Sequence, residues 1–380
     1  MRAPRPLPPS VDLLEVGDGR RARLLDVLGR GASAVVHRAI LESGAGLRRL
    51  VAVKLFGTVA SDDADQALDA AARAARRGAC VRHPNVVELY DVGRWLNQPF
   101  FVLELIEGVS LRTLLDRYAA KSSRLPLDLA LFIGSEMAEA LAGARTARDH
   151  EGVQLGMLHL GLGPRKVLLS WRGEVKVGDF ETSMALGASS SIRSLRSVTH
   201  RTSTMAPEVA RGAPGDSRSD VFSLGVVLRE LFVGPRFPRD VTNAEAVRLA
   251  REGFVQPISF QPHLPEALVH VLLRSIHCDA TERYPNASAL AFDLRRVALA
   301  LGVGDGRVFL KRALDREWGN DAEITHELPY AILPVASPIQ PDDLHDLQGL
   351  PTIANLDEAL LSGAADNDDD IVDAELIDAY

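Results

Sequence analysis

PFFVLELIEGVSLRTLLDRYAA, residues 99–120, is where the chain changes character. Its first half is a short apolar and aromatic run of the kind that forms a strand, and its second half, LRTLLDRYAA, reads as a helix. Upstream the strand signal repeats. From Arg21 the runs RARLLDVLGR, AVVHRAI and RLVAVKLF, the first two joined by a Gly-rich turn, predict three antiparallel strands, and VVELYDVG precedes PFFVLELI. Between them lies the Ala-rich segment 62–79, with acids at its start and arginines at its end, the charge order that suits a helix macrodipole. Downstream the chain is mainly helical: LDLALFIGSEMAEALAGARTA, VFSLGVVLRELFVG, then segments 243–253, 265–277 and 286–300, with two short strand candidates, VLLS and EVKVGD, in between. A β-rich part joined at 104–108 to a helical part predicts an α+β protein of two lobes with a cleft between them, a common place for a ligand.

The 380 residues are 46% hydrophobic, enough to bury one large core or two modest ones. Net charge is −8, but residues 317–380 hold 16 Asp and Glu and no Lys or Arg, so the first 316 residues carry a net +8. The expected domains are a flexible Pro-rich arm over 1–20, an N-lobe over 21–104, a C-lobe over 105–316 and an acidic, mainly disordered tail over 317–380. In that tail Ile371, Leu376 and Tyr380 are apolar points suited to a partner. Two distant cysteines, Cys80 and Cys278, argue against a disulfide framework or metal cluster, and both are expected to be buried thiols. No apolar leader opens the chain and no run suits a membrane span, so a soluble, cytoplasmic protein with no membrane partner is expected. The modest basic excess of the body is too weak a signal for nucleic-acid binding.

In order along the chain, LGRGASAVVHRA, VAVKLF, HPNVVELYDVG, FVLELIEG, LHLGLGPRKVLLS, VKVGDFE, MAPE, SDVFSLGVVLRELFVG and ERYPN resemble the bacterial serine/threonine protein kinases from about residue 21 to 300. The resemblance implies a kinase-like fold with a small β-rich N-lobe and a larger helical C-lobe. It also implies that Gly29 and Gly31, with Ala34 at the third glycine position, form the loop over the ATP phosphates, and that Val36 packs on adenine. Lys54 matches the lysine on the α and β phosphates, Leu103 the gatekeeper, and Glu104 to Ile106 the hinge whose backbone meets the base.

The reacting centre departs from the family. Ala74 stands where a glutamate pairs with Lys54, and Asp69 lies ~7.5 Å along and ~140° around a helix from it, so Lys54 is expected to lack that partner. His159-Leu160-Gly161 replaces His-Arg-Asp, and Lys166 replaces the metal-binding Asn. Gly161 has no group to accept a substrate proton, a service worth about 10²- to 10⁴-fold. Lys166 puts an ammonium where a second magnesium would sit, repelling metal while attracting phosphate. Asp179 keeps the magnesium aspartate, followed by Phe180 and Glu181 in place of glycine. Scaffold positions persist: Ala206-Pro207-Glu208, the helix-capping Asp220, and Arg283 opposite Glu208.

These residues predict a catalytically impaired pseudokinase, a signalling regulator or scaffold whose partner is another kinase or signalling protein. It retains room for ATP and a weak magnesium site. The alternative is a divergent active serine/threonine kinase that uses Asp179 with Glu181 for metal and His159 or Lys166 at the phosphate; a third is another transfer chemistry, such as nucleotidyl transfer, on the same fold. The Ser-, Thr- and Arg-rich loop 185–205 is suited to phosphorylation or to docking the acidic tail.

Overall fold

The computed structural model describes residues 13–30, 34–56, 73, 77–95, 98–180, 202–238, 241–258 and 264–319. It is an α+β fold of two lobes. Strands β1 (Leu13–Gly17), β2 (Arg20–Arg30), β3 (Ala34–Glu42), β4 (Arg48–Phe56), β5 (Leu89–Trp95) and β6 (Gln98–Glu104) form one antiparallel sheet in the order β1-β2-β3-β4-β6-β5. The sheet curls until β1 lies against β5, and Arg20 pairs with Asp91 across the closure at 2.5 Å. Leu14, Val16, Ala22, Leu24, Val51, Val53, Phe100 and Val102 fill the enclosed face. The opposite face, carrying Val36, Ala52, Phe101 and Leu103, is turned to the other lobe and packs with Leu168 from it.

Strand β1 corrects the expectation of a loose arm over residues 1–20. Leu14 and Val16 are buried while Leu13, Glu15 and Gly17 are exposed, a period-two pattern only five residues long. So short an alternation beside a Pro-rich stretch gives little sequence signal, and only the neighbouring β2 supplies its hydrogen bonds.

The C-lobe begins at β7 (Gly108–Ser110), which with β8 (Val167–Ser170) and β9 (Val175–Val177) makes a three-stranded antiparallel sheet. Gly108 permits the crossing of β7 over β8, since a Cβ there would stand 1.9 Å from the Leu169 carbonyl oxygen. The helices are α1 (Leu111–Ala120), α2 (Leu127–Thr146), α3 (Pro207–Ala210), α4 (Ser217–Phe232), α5 (Asn243–Glu252), α6 (Glu266–Ser275), α7 (Ala287–Ala300) and α8 (Gly306–Trp318). The lobe is built around α2, whose burial on nearly every side explains its continuous apolar sequence. Around it pack α4, α7, α8 and β9. Side-chain caps from Ser110, Asp216, Thr242, Asn286 and Asp305 satisfy backbone N–H groups at the starts of α1, α4, α5, α7 and α8.

Helix α8 was not anticipated, and it moves the boundary of the folded body past residue 316. Leu310 and Leu314 are fully buried, Lys121 pairs with Glu317, and Trp318 meets Trp171 edge-on at 5.8 Å beneath the Arg117 guanidinium. The tail from residue 320 and most of the basic loop, 185–201, lie outside the described residues. The cysteines also differ from expectation: Cys278 is exposed and Cys80 half-buried, because each stands in a turn beside a helix end rather than on a core-facing stripe. Among the described residues no helix is long and apolar enough to cross a membrane.

The lobes are stitched by backbone. Val87 donates to the Val177 carbonyl at 2.9 Å, Val177 donates to the Asn85 carbonyl at 2.7 Å, and the Asn85 amide reaches Glu136 at 2.6 Å and the Val175 carbonyl at 3.0 Å. The segment His83-Pro84-Asn85 thus anchors the N-lobe sheet to β9 and α2.

Because Leu14 sits wholly inside the curled sheet, Leu14→Ala is expected to destabilise the fold by about 2 to 5 kcal/mol in urea unfolding. A loose arm would leave the midpoint unchanged.

Candidate active site

The hairpin β8–β9 builds the floor of the cleft. Val167 pairs with Val177, and the Gly178 N–H donates to the Lys166 carbonyl at 2.9 Å, which closes the open end of the hairpin. Lys166 and Asp179 are therefore carried to the same place by strand register. Their side chains meet: Lys166 Nζ is 2.5 Å from Asp179 Oδ2. From above, β4 lowers Lys54, whose Nζ is 2.7 Å from Asp179 Oδ1. All three residues are buried, at 3 to 5% exposure. A carboxylate taken out of water needs compensating charge, and here each oxygen has its own ammonium.

Lys54 thus has a carboxylate partner in Asp179, a pairing the sequence analysis did not state, and the expectation about its helix partner is not touched by it. Ala74 and Asp69 lie outside the described residues. The pairing of Lys166 with Asp179 was also missed. The signal was available in the hairpin VLLS…EVKV, whose register places the residue before the first strand beside the residues after the second.

Asp179 and Leu160 both adopt positive φ, 69° and 50°. Non-glycine residues held there cost about 1 to 3 kcal/mol each and persist only when their surroundings hold them. Asp220, at the start of α4, does so for the loop: it accepts from the His159 N–H at 2.8 Å and the Leu160 N–H at 2.7 Å. Burial pushes its carboxyl up to about 6, against the pull of those two donors. His159 is fully buried, with Nε2 3.0 Å from the Gly178 carbonyl and its ring 4.7 Å from Phe180. Burial drives its pKa down to about 3, and the Lys166 charge pushes the same way. A neutral, enclosed imidazole braces the loop. Gly161 follows, offering no side chain.

Val36, Ala52, Leu103, Ile106 and Leu168 form one buried apolar cluster flanked by Leu28 and Leu105. Gly29 lies opposite Val36 in the β2–β3 ladder; Gly31 falls outside the described residues. The Glu104 carboxylate turns aside to Lys176, at 2.8 Å from both oxygens, so the hinge can offer a base only its backbone. Lys176 is a residue the sequence analysis did not single out.

Magnesium does not fit this floor. It demands about six oxygen ligands at 2.0–2.1 Å, whereas both oxygens of Asp179 already face ammonium groups. An ammonium about 4 Å from a single charge of like sign costs about 4 kcal/mol at an effective dielectric of 20, and a divalent ion doubles it. Among the described residues no three His, Cys, Asp or Glu side chains gather as metal ligands. Glu181, proposed as a repurposed ligand, lies outside the described residues.

Away from the floor the expected Glu208–Arg283 pair is in place. Arg283 grips Glu208 with two hydrogen bonds of 2.8 and 3.0 Å, and Ser219 donates to the same carboxylate at 2.7 Å. Burial opposes the charge on Glu208, and these donors overcome it, holding its pKa low. Arg236, wholly buried, donates to the carbonyls of Met205 at 2.8 Å, Ser203 at 3.3 Å and Phe254 at 2.8 Å, fastening the end of the loop that precedes α3.

Fold and site together define a protein-kinase domain. Residues 22–294 match the family described as protein tyrosine and serine/threonine kinase. The chain is 30% identical over 276 residues to a probable serine/threonine-protein kinase PknB of Lactococcus lactis, covering 72% of this chain and 41% of that protein. It is 32% identical over 288 residues to the serine/threonine-protein kinase PksC of Streptomyces coelicolor, covering 74% and 49%. It thus spans less than half the length of these relatives. A crystal structure of the Mycobacterium tuberculosis PknI kinase domain superposes with a TM-score of 0.53 at 22% identity, over 74% of this chain and 97% of that one. The chain belongs to the protein kinase family, with bacterial serine/threonine kinases among its relatives.

The depressed His159 pKa has a measurable consequence. Below the ordinary 6.5 the unfolded chain binds a proton that the folded chain refuses down to about 3. This group's contribution is therefore complete above pH 6.5 and is lost as pH falls, by about 1.4 kcal/mol per unit. Asp220, raised from 3.8 to about 6, works in the opposite sense, its folded form gaining a proton first as pH falls. In His159→Asn the first contribution disappears, so the stability gap between wild type and variant should shrink by roughly 2 kcal/mol between pH 6.5 and 4.5 in urea titrations. A pH-independent gap would contradict the buried neutral imidazole.

Proposed function

We propose that this kinase domain is a pseudokinase, impaired in phosphotransfer and acting in signalling as a regulator or scaffold for a protein partner such as another kinase. The observation that carries the reading is the Lys166 ammonium seated 2.5 Å from Asp179, on a loop whose next essential position is Gly161. Phosphoryl transfer relies on positioned metal ions and on a group that orients the acceptor hydroxyl. One metal position is occupied by a cation of the protein itself, and the orienting side chain is absent.

Retention elsewhere supports a binding role. The Glu208–Arg283 grip, the Asp220 bonds to the strained loop and the Arg236 anchor each bury charge at a cost of several kcal/mol if broken at one end. They serve to present a kinase-shaped surface whether or not the centre turns over. The acidic tail, the basic loop and the lobe faces are the surfaces such a partner would read.

The test is transfer of label from ATP to the chain itself and to a mixed set of acceptor proteins, with magnesium or manganese. Incorporation by the wild type is expected to match that of Lys54→Met and Asp179→Ala. A metal-dependent rate that either substitution abolishes would mean a divergent active serine/threonine kinase, and mass addition of a nucleotidyl group would mean a different transferase.

A further inference from the structure

The poor fit for magnesium raises the question of what the cleft floor is suited to hold. We infer that it takes a nucleoside di- or triphosphate without a divalent cation, the Lys166 ammonium standing in the metal's place against the phosphates. This rests on reading the cleft as an altered kinase site, but its test is separate from that of catalysis.

Three observations converge. First, Lys54 and Lys166 contact different oxygens of one carboxylate, so these three groups bring two positive charges and one negative to a single buried place. Two ammonium groups held side by side repel a divalent cation and attract phosphate, and low local polarity strengthens both effects. Second, the ammonium comes from the first residue before β8, fixed by the Lys166–Gly178 backbone bond, so its position is built into the hairpin and does not depend on a bound ion. Lysine serves as a point charge for phosphate, with three rotatable donors. Third, Val36, Ala52, Leu103, Ile106 and Leu168 make one apolar cluster where the N-lobe sheet meets the β8–β9 hairpin, surroundings that favour a flat base and make a nucleotide a better match than a simple phosphate. A nucleotide freed of its metal presents the full charge of its phosphates to the two lysines. With magnesium bound, the same phosphates bring a cation against Lys166.

The measurement is the thermal unfolding midpoint and calorimetric affinity of the full chain with ATP or ADP, in EDTA and in excess magnesium. Wild type is expected to bind in EDTA at least as tightly as in magnesium. Lys166→Asn should weaken binding in EDTA by tenfold or more and recover affinity when magnesium is added, because it restores a metal-compatible amide. Lys166→Arg, which keeps the charge, should retain binding in EDTA, and the ligand-free midpoints of both variants report whether they fold. Wild-type binding that needs magnesium, no shift at millimolar nucleotide in either condition, or a Lys166→Asn protein that binds like wild type in EDTA would each overturn the inference. A chain that transfers phosphate yet binds in EDTA would retain this inference and overturn the pseudokinase reading. An inert chain that binds only with magnesium would do the reverse.

Discussion

A carboxylate buried at the meeting of two lobes must be neutralised, and the way Asp179 is neutralised shapes the rest of this molecule. Its two oxygens take Lys54 from the N-lobe sheet and Lys166 from the C-lobe hairpin. One side chain thereby ties β4 to the β8–β9 floor and also removes the oxygens that a metal would need. Removing Asp179 would leave two ammonium groups facing each other in a site that water barely reaches. The cluster is thus a structural joint as well as the feature that changes the chemistry.

The retained and the altered residues of the domain meet on one loop. Around the strained loop, Asp220 still holds the N–H groups of His159 and Leu160, and Phe180 still packs on the His159 ring. Below it, Glu208 and Arg283 bond through paired hydrogen bonds, with Arg283 donating further to the carbonyls of His277, Cys278 and Arg218. These contacts are made by backbone and by side chains other than residue 161, so they do not depend on whether that residue carries a carboxylate. Replacing it by glycine costs the fold little, whereas losing Asp220 would release two residues from a conformation they do not favour alone.

Much of the architecture was readable because long elements carry strong periodic signals. The strands β2 to β6, the helices α1, α2, α4, α5, α6 and α7, and the short pair β8 and β9 all fall where apolar runs and their flanking turns place them. The misses were elements whose stability comes from neighbours. Strand β1 is five residues long and relies on β2 and β5, and α8 gains its burial against α2 and Trp171. Likewise Glu104 was read as hinge without its partner, since nothing local links it to Lys176, 72 residues later.

By itself the sequence determined the two-lobe kinase fold and the identity of the altered positions, because ordered motifs and hydrophobic periods are local properties of the chain. It also marked Gly161 and Lys166 as departures, since a missing side chain or a new charge is visible in one letter. Only the tertiary structure decided what those departures do to one another. The distance between Lys166 and Asp179 depends on hairpin register, and that between Lys54 and Asp179 on how two lobes close. Electrostatic compensation in a buried site acts through space, between residues 125 positions apart, so no reading along the chain could supply it.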